Sequence, residues 1–159
     1  MSETVNKAKC CQGFDPAVWD GKEIVWQDKT FIKDRVASVF HIPLNFGAVI
    51  TRMMKRIEAD GVSATEPRCL SDENSLWGAD LYVATPKEIP GAANVKLSGK
   101  FLTKVFEGDY KNMGAWIEQM RQMVVGRGKE IKKLYFHYAT CPKCAKETGK
   151  RYTVIFAEI

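Results

Sequence analysis

The chain has little of what several common classes of site require. It holds two histidines, His41 and His137, and no His-rich metal motif is present. No Ser/His/Asp arrangement and no Gly-rich phosphate loop is spaced along it, so classical nucleophilic hydrolysis and nucleotide chemistry lack support. No apolar run approaches the roughly 18 residues that cross a bilayer, and no membrane partner is expected. The opening MSETVNKAKCC lacks the apolar core and small-residue cleavage site of a secretory signal, which makes the cytoplasm the expected location. No helix-turn-helix is recognisable, so a fused transcriptional activator is not expected either.

What is present suits one core. With 159 residues and 45% hydrophobic content, the chain is long enough for one good core and too short for two ordinary domains. The formal charge of +5, from 24 Lys and Arg against 19 Asp and Glu, is spread along the sequence with acids among the bases. Nucleic-acid binders concentrate such charge on one face, so no direct nucleic-acid partner is expected. Five cysteines, an odd number in a chain expected to stay reduced, argue against a disulfide framework.

Residues 1–21 carry Gly13, Pro16 and Gly21 without sustained periodicity and read as an irregular arm that packs through Phe14 and Trp19. Residues 22–159 read as a single domain. Residues 22–42 are rich in β-branched and aromatic types, as in one bent strand or two short ones. Phe46, Val49, Ile50, Met53, Met54 and Ile57 then recur at helical spacing up to a stop at Gly61. Residues 62–74 are polar and lead into a strand in which Ala79, Leu81 and Val83 alternate with Asp80, Tyr82 and Ala84. After a turn, residues 94–106 form one or two strands with a Gly break. Met113, Trp116, Ile117, Met120 and Val124 mark a second helix, with Asp109 or Asn112 as N-cap and Gly126 at its end. LYFHYA is a strand, CPKCAKETGK a hairpin tip, and RYTVIFAEI an apolar strand in the sheet interior. The expected fold is α+β, an antiparallel sheet with two helices on one face, in two β-α-β-β halves.

The segment LSGKFLTKVFEGDYKNMGAWIEQM, with its strand, Gly108-Asp109-Tyr110 turn and following helix, resembles the GyrI-like (SHS2-type) small-molecule-binding family. LYFHY and YTVIFAEI resemble the strand pair that closes that fold. The N-terminal CCQGFDPAVWDGKE, HIPLNFG and YFHYATCPKCAKETGK are similar to a subgroup of small bacterial members related to cyclopropanoid cyclopropyl hydrolases. The resemblance implies a small hydrophobic or aromatic ligand and hydrolytic opening of a strained ring in DNA-alkylating compounds inside an aromatic cage. It also implies an alternative, a module that sequesters such ligands without turnover. Drug-binding relatives place an acidic residue on the strand corresponding to LYFHY. Here that strand offers Tyr135, Phe136, His137 and Tyr138, which suit a neutral aromatic ligand better than a cation.

The residues expected around the ligand are Trp77, Phe106, Tyr110, Trp116, Tyr138 and His41, whose rings stack on a flat molecule and whose polar edges orient it. Ring-opening by water needs a proton donor at the developing oxyanion and a group that positions or deprotonates the water. Glu107, Tyr135 and His137 are the candidates. Phe106 and Tyr110 are expected to desolvate Glu107 and raise its pKa, and strand alternation puts Tyr135 and His137 on one face. No cofactor is required. Cys141 and Cys144 form a CxxC that supplies half of a tetrahedral zinc site, with Cys10 and Cys11 as the other half if the arm folds back. Free thiols or a redox-labile pair are the competing readings, and a zinc-stabilised interaction domain is the function that the metal reading would give. The oligomeric state is not legible.

Overall fold

A computed structural model describes residues 15–39, 42–43, 46–65, 69–75, 77–139 and 149–159. His41 and the four cysteines of the zinc reading, Cys10, Cys11, Cys141 and Cys144, lie outside the described residues, as does Phe14. In chain order the elements are α1 (Pro16–Trp19), β1 (Lys22–Val39), β2 (Ile42–Pro43), α2 (Phe46–Ala59), β3 (Leu70–Ser75), β4 (Gly78–Ala84), β5 (Ala93–Glu107), a 3-10 turn (Tyr110–Asn112), α3 (Met113–Gly126), β6 (Lys133–Tyr138) and β7 (Tyr152–Glu158). The chain is α+β, and its strand pairs are antiparallel. Among the described residues no helix is long and apolar enough to cross a membrane.

The chain forms two compact units, one drawn from Met1–Ile24 and Lys100–Ile159, the other Val25–Gly99. In the central unit, β4 lies between β1 and β3. Helix α2 turns Val49, Met53 and Ile57 toward Ile32, Val36, Leu81 and Val83, and all seven are buried in one cluster. The i, i+4 spacing on the helix and the i, i+2 spacing on the strands make this match possible. Each such side chain contributes about 1.5–3 kcal/mol through its burial. Gly61 stops the helix with φ +75°, a conformation in which a Cβ would be strained.

The terminal unit repeats this logic with different residues. Strand β7 lies between β5 and β6, and α3 directs Trp116, Met120 and Val124 onto Leu102, Phe106, Phe136, Ile155 and Ala157. Val154 through Ala157 are fully buried, as expected of a strand covered on both faces. Asp109 caps the 3-10 turn by accepting from the Lys111 amide at 3.0 Å, and α3 begins one residue beyond Asn112.

The sequence expectations depart from this structure in three places, the first being that Pro16–Trp19 form α1 within the arm read as irregular. Strand β3 falls in the stretch read as a polar connection: its residues LSDENS carry one apolar side chain, yet Leu70, Ser71 and Asp72 are buried beside β4. Pairing with a central strand overrides composition there. Strand β5 also runs unbroken through the expected break at Gly99, which takes φ +150° within it.

Candidate functional site

Within the sheet, the strands of each unit have one face under its helix, α2 or α3, and one face turned away from it. In β6 the alternation sends Leu134, Phe136 and Tyr138 to the α3 side. Tyr135 and His137 therefore point to the helix-free face, at 4% and 5% exposure. Their partners across the ladder are Phe156 and Val154 on β7, with Thr103 on β5 opposite Phe156 from the other side. Phe101 meets Tyr135 edge-on at 6.1 Å between ring centroids, and the Lys133 ammonium lies 5.2 Å from the Tyr135 ring. Trp19, at the end of α1, packs on Phe156 at 5.3 Å and on His137 at 6.4 Å. The result is a phenol and an imidazole two residues apart on one strand, roughly 7 Å along the backbone, within aromatic and β-branched side chains. The phenol is able to donate a hydrogen bond and the imidazole to accept a proton.

The other residues expected at the site do not gather on this face. Phe106 and Trp116 stack on each other at 5.3 Å and 19° and belong to the core between α3 and the sheet. Even-numbered β5 positions face the helix, so Phe106 falls on the opposite side from Tyr135 and His137. Tyr138 follows the same parity and meets Tyr110 at 5.3 Å, while the Arg151 guanidinium lies 5.0 Å from the Tyr110 ring. Burial raises the Tyr110 pKa above the ordinary tyrosine value, Arg151 opposes the shift and Asp109 adds to it, so the phenol stays protonated at neutral pH. Glu107 ends β5 and is exposed. Phe106 turns toward the helix and Tyr110 is 40% exposed, so the desolvation expected of them does not reach the Glu107 carboxylate. Trp77 belongs to the central unit and is 61% exposed.

The helix-free face of the central unit holds residues that the sequence reading passed over. Trp26, Phe31 and Tyr82 form a row, at 5.5 Å between the first two rings and 6.3 Å between the last two. Lys29 lies over Trp26 and Phe31, and Lys33 over Tyr82. Burial lowers the Lys29 pKa below the ordinary lysine value. Asp80 binds Arg35 at 2.9 Å and Lys33 at 3.7 Å, and Asp72 faces it across the ladder. A Cβ at Gly78 would lie 2.6 Å from the Arg35 Nη2, so glycine makes room for the guanidinium. The signal available for this cluster was the alternation of Asp80 and Tyr82 with Leu81 and Val83, which marks a second, polar face of a strand whose residues are all buried.

Among the described residues no group of three or more His, Cys, Asp and Glu side chains is arranged to hold a metal. Cys69 is partly buried against the α2 core, and desolvation pushes its thiol up to about 12, which leaves it unreactive at neutral pH.

The fold recurs in solved structures. An uncharacterized conserved protein from Listeria innocua superposes with a TM-score of 0.65 at 11% identity, covering 87% of this chain and 91% of that one. A hydrolase from the same organism gives 0.61 at 14% identity with the same coverage, and another gives 0.61 at 13% identity over 96% of both chains. No curated protein matches the sequence. The family described as Bacterial hydrolase matches residues 1–159, and the chain belongs to it.

Proposed function

We propose that the protein is a hydrolase of small, flat, hydrophobic electrophiles, opening the strained ring of cyclopropanoid DNA-alkylating compounds in a GyrI-like fold of two related β-α-β-β halves. The observation that carries this reading is the buried Tyr135 and His137 pair on the helix-free face of the terminal unit. The same strand order within each unit, with the last strand in the middle, supports the GyrI-like comparison.

The chemistry needs little from the protein, because ring strain drives it. Water oxygen bonds to the cyclopropane methylene carbon, and the breaking C–C pair flows into the conjugated carbonyl, which becomes a phenol on protonation. His137 accepts a proton from the attacking water, and Tyr135 donates to the developing oxyanion. The imidazolium then returns its proton through solvent to the tyrosinate, so that one water is added and no cofactor is consumed. Thr103, Phe101 and Phe156 shape the face on which a flat neutral molecule rests.

The test is incubation of purified protein with a cyclopropanoid alkylating compound in ¹⁸O-water, with the ring-opened alcohol followed by mass spectrometry beside a no-protein control. Accelerated formation of labelled alcohol is expected, and its absence overturns the hydrolytic reading. The exposure of Glu107 favours a second reading, sequestration without turnover, since it removes the one carboxylate from the expected three. Tight binding without product would establish it.

A further inference from the structure

The residue that covers His137 comes from the N-terminal arm rather than from the sheet. Helix α1 is a single turn of four residues, too short to hold itself in place. Its position is set by contacts with β5. The Gly21 amide donates to the Thr103 carbonyl at 3.0 Å, and the Val105 amide donates to the Asp20 carboxylate at 3.1 Å. The Thr103 hydroxyl, fully buried, donates to the Trp19 carbonyl, with the Lys22 carbonyl as a second acceptor at 3.3 Å. Asp15 caps the turn by accepting from the Ala17 amide at 3.0 Å, and Gly21 takes φ +67° to reverse the chain into β1.

These contacts deliver one indole onto the face that carries Tyr135 and His137. Trp19 is tilted 57° against Phe156 and 65° against His137, so it meets both rings with edges and corners rather than by parallel stacking. It is only partly buried. A threonine in the interior of β5 is otherwise an odd choice, because its neighbours Phe101 and Leu102 are apolar and equally buried. Its hydroxyl finds its acceptors at Trp19 in the arm and at Lys22, where β1 begins.

Resting on the reading of this face as the substrate site, we propose that Trp19 is a specificity-determining wall that takes the flat ring of a neutral aromatic substrate, and that Thr103 is the positioning residue that latches it over His137. The arm is then part of the site, and the indole limits rotation of the imidazole while offering its own ring to the ligand.

Two measurements test this independently of turnover. Protonated histidine quenches a neighbouring indole, so the Trp19 emission, taken as wild type minus Trp19→Phe, rises as pH is raised through the titration of His137 and is flat in His137→Gln. Lys133, Tyr135 and Tyr138 are the other titratable groups on the same strand, and Asp20 and Lys22 flank the indole in sequence; the His137→Gln control separates the imidazole from all of them. A pH-independent difference spectrum in the wild type overturns the placement of Trp19. Binding of the ring-opened product, measured by calorimetry, weakens by roughly 3- to 10-fold in Trp19→Ala, and equal affinity overturns the wall. Should that variant fail to fold, Trp19→Leu serves in its place.

Thr103→Val is expected to raise KM for the cyclopropanoid compound and to weaken product binding while kcat changes less than twofold, and Thr103→Ser to restore both. Failure of serine to rescue overturns the latch. Product binding without turnover in the wild type sinks the hydrolytic reading alone and leaves the wall standing.

Discussion

The two units share a strand order and a single covering helix, yet they hide opposite kinds of polar group on their helix-free faces. The terminal unit buries Tyr135, His137 and Thr103, a phenol, an imidazole and a hydroxyl. The central unit carries Asp72 and Asp80 with Lys33 and Arg35, which are charged and compensate one another. Aromatic rings accompany both sets. On the proposed reading proton transfer belongs to the terminal unit, where a phenol and an imidazole share one face, while the Asp80 carboxylate of the central unit is engaged by Arg35 and Lys33.

The sharpest way to break this contrast is to remove the proton-transfer groups. His137→Gln and Tyr135→Phe are each expected to lower kcat for ring-opening by on the order of 10²- to 10⁴-fold while product affinity stays within a few-fold. Loss of affinity with unchanged kcat would return both residues to a packing role. Next in size is the common apolar floor. Phe156 is fully buried and touches Trp19, so Phe156→Ala is expected to cost about 3–5 kcal/mol in urea denaturation. A cost below about 1 kcal/mol would show that this face collapses readily around a void.

The helices and the strand β7 were legible because their apolar residues repeat at the period of the element. Met53 and Ile57, or Met120 and Val124, announce a buried stripe without reference to the rest of the chain. The Tyr135 and His137 placement was legible for the same reason, since alternation alone puts i and i+2 on one side. The failures come from side chains whose face depends on tertiary partners. Phe106 and Trp116 are aromatic in either role, and only the approach of α3 assigns them to the core. Glu107 follows Phe106 and lies three residues before Tyr110, but adjacent positions on a strand point apart, and the end of β5 is open to solvent. Trp19 was read as the anchor of an irregular arm; its place over His137 follows from contacts with Thr103 about eighty residues later, a separation for which the sequence carries no local signal.

The charged face gives a smaller effect. Asp80→Asn is expected to destabilise by about 1–2 kcal/mol, because the Asp80 side chain is 12% exposed but that of Arg35 is 53% exposed and screened by water. Gly78→Ala tests the same cluster from the other side. Its Cβ meets the far end of a flexible arginine, so the guanidinium swings aside and the Asp80 pair weakens without an effect on the terminal unit's chemistry. A loss of turnover matching that of His137→Gln would mean that the charged face takes part in proton transfer after all, and the contrast would fail.

The smallest expected effect belongs to Glu107, one of the three residues that the sequence offered for acid–base work. A carboxylate acts as a general acid at neutral pH only if its environment withdraws solvent from it, and Glu107 stands at a strand end in water. Glu107→Gln should therefore leave kcat within about threefold of wild type. A drop of 10²-fold or more would require the strand end to close around the carboxylate when substrate binds, bringing to it the burial that it lacks in the free protein. The measurement thus separates a site built on a preformed Tyr–His pair from one completed only in the complex.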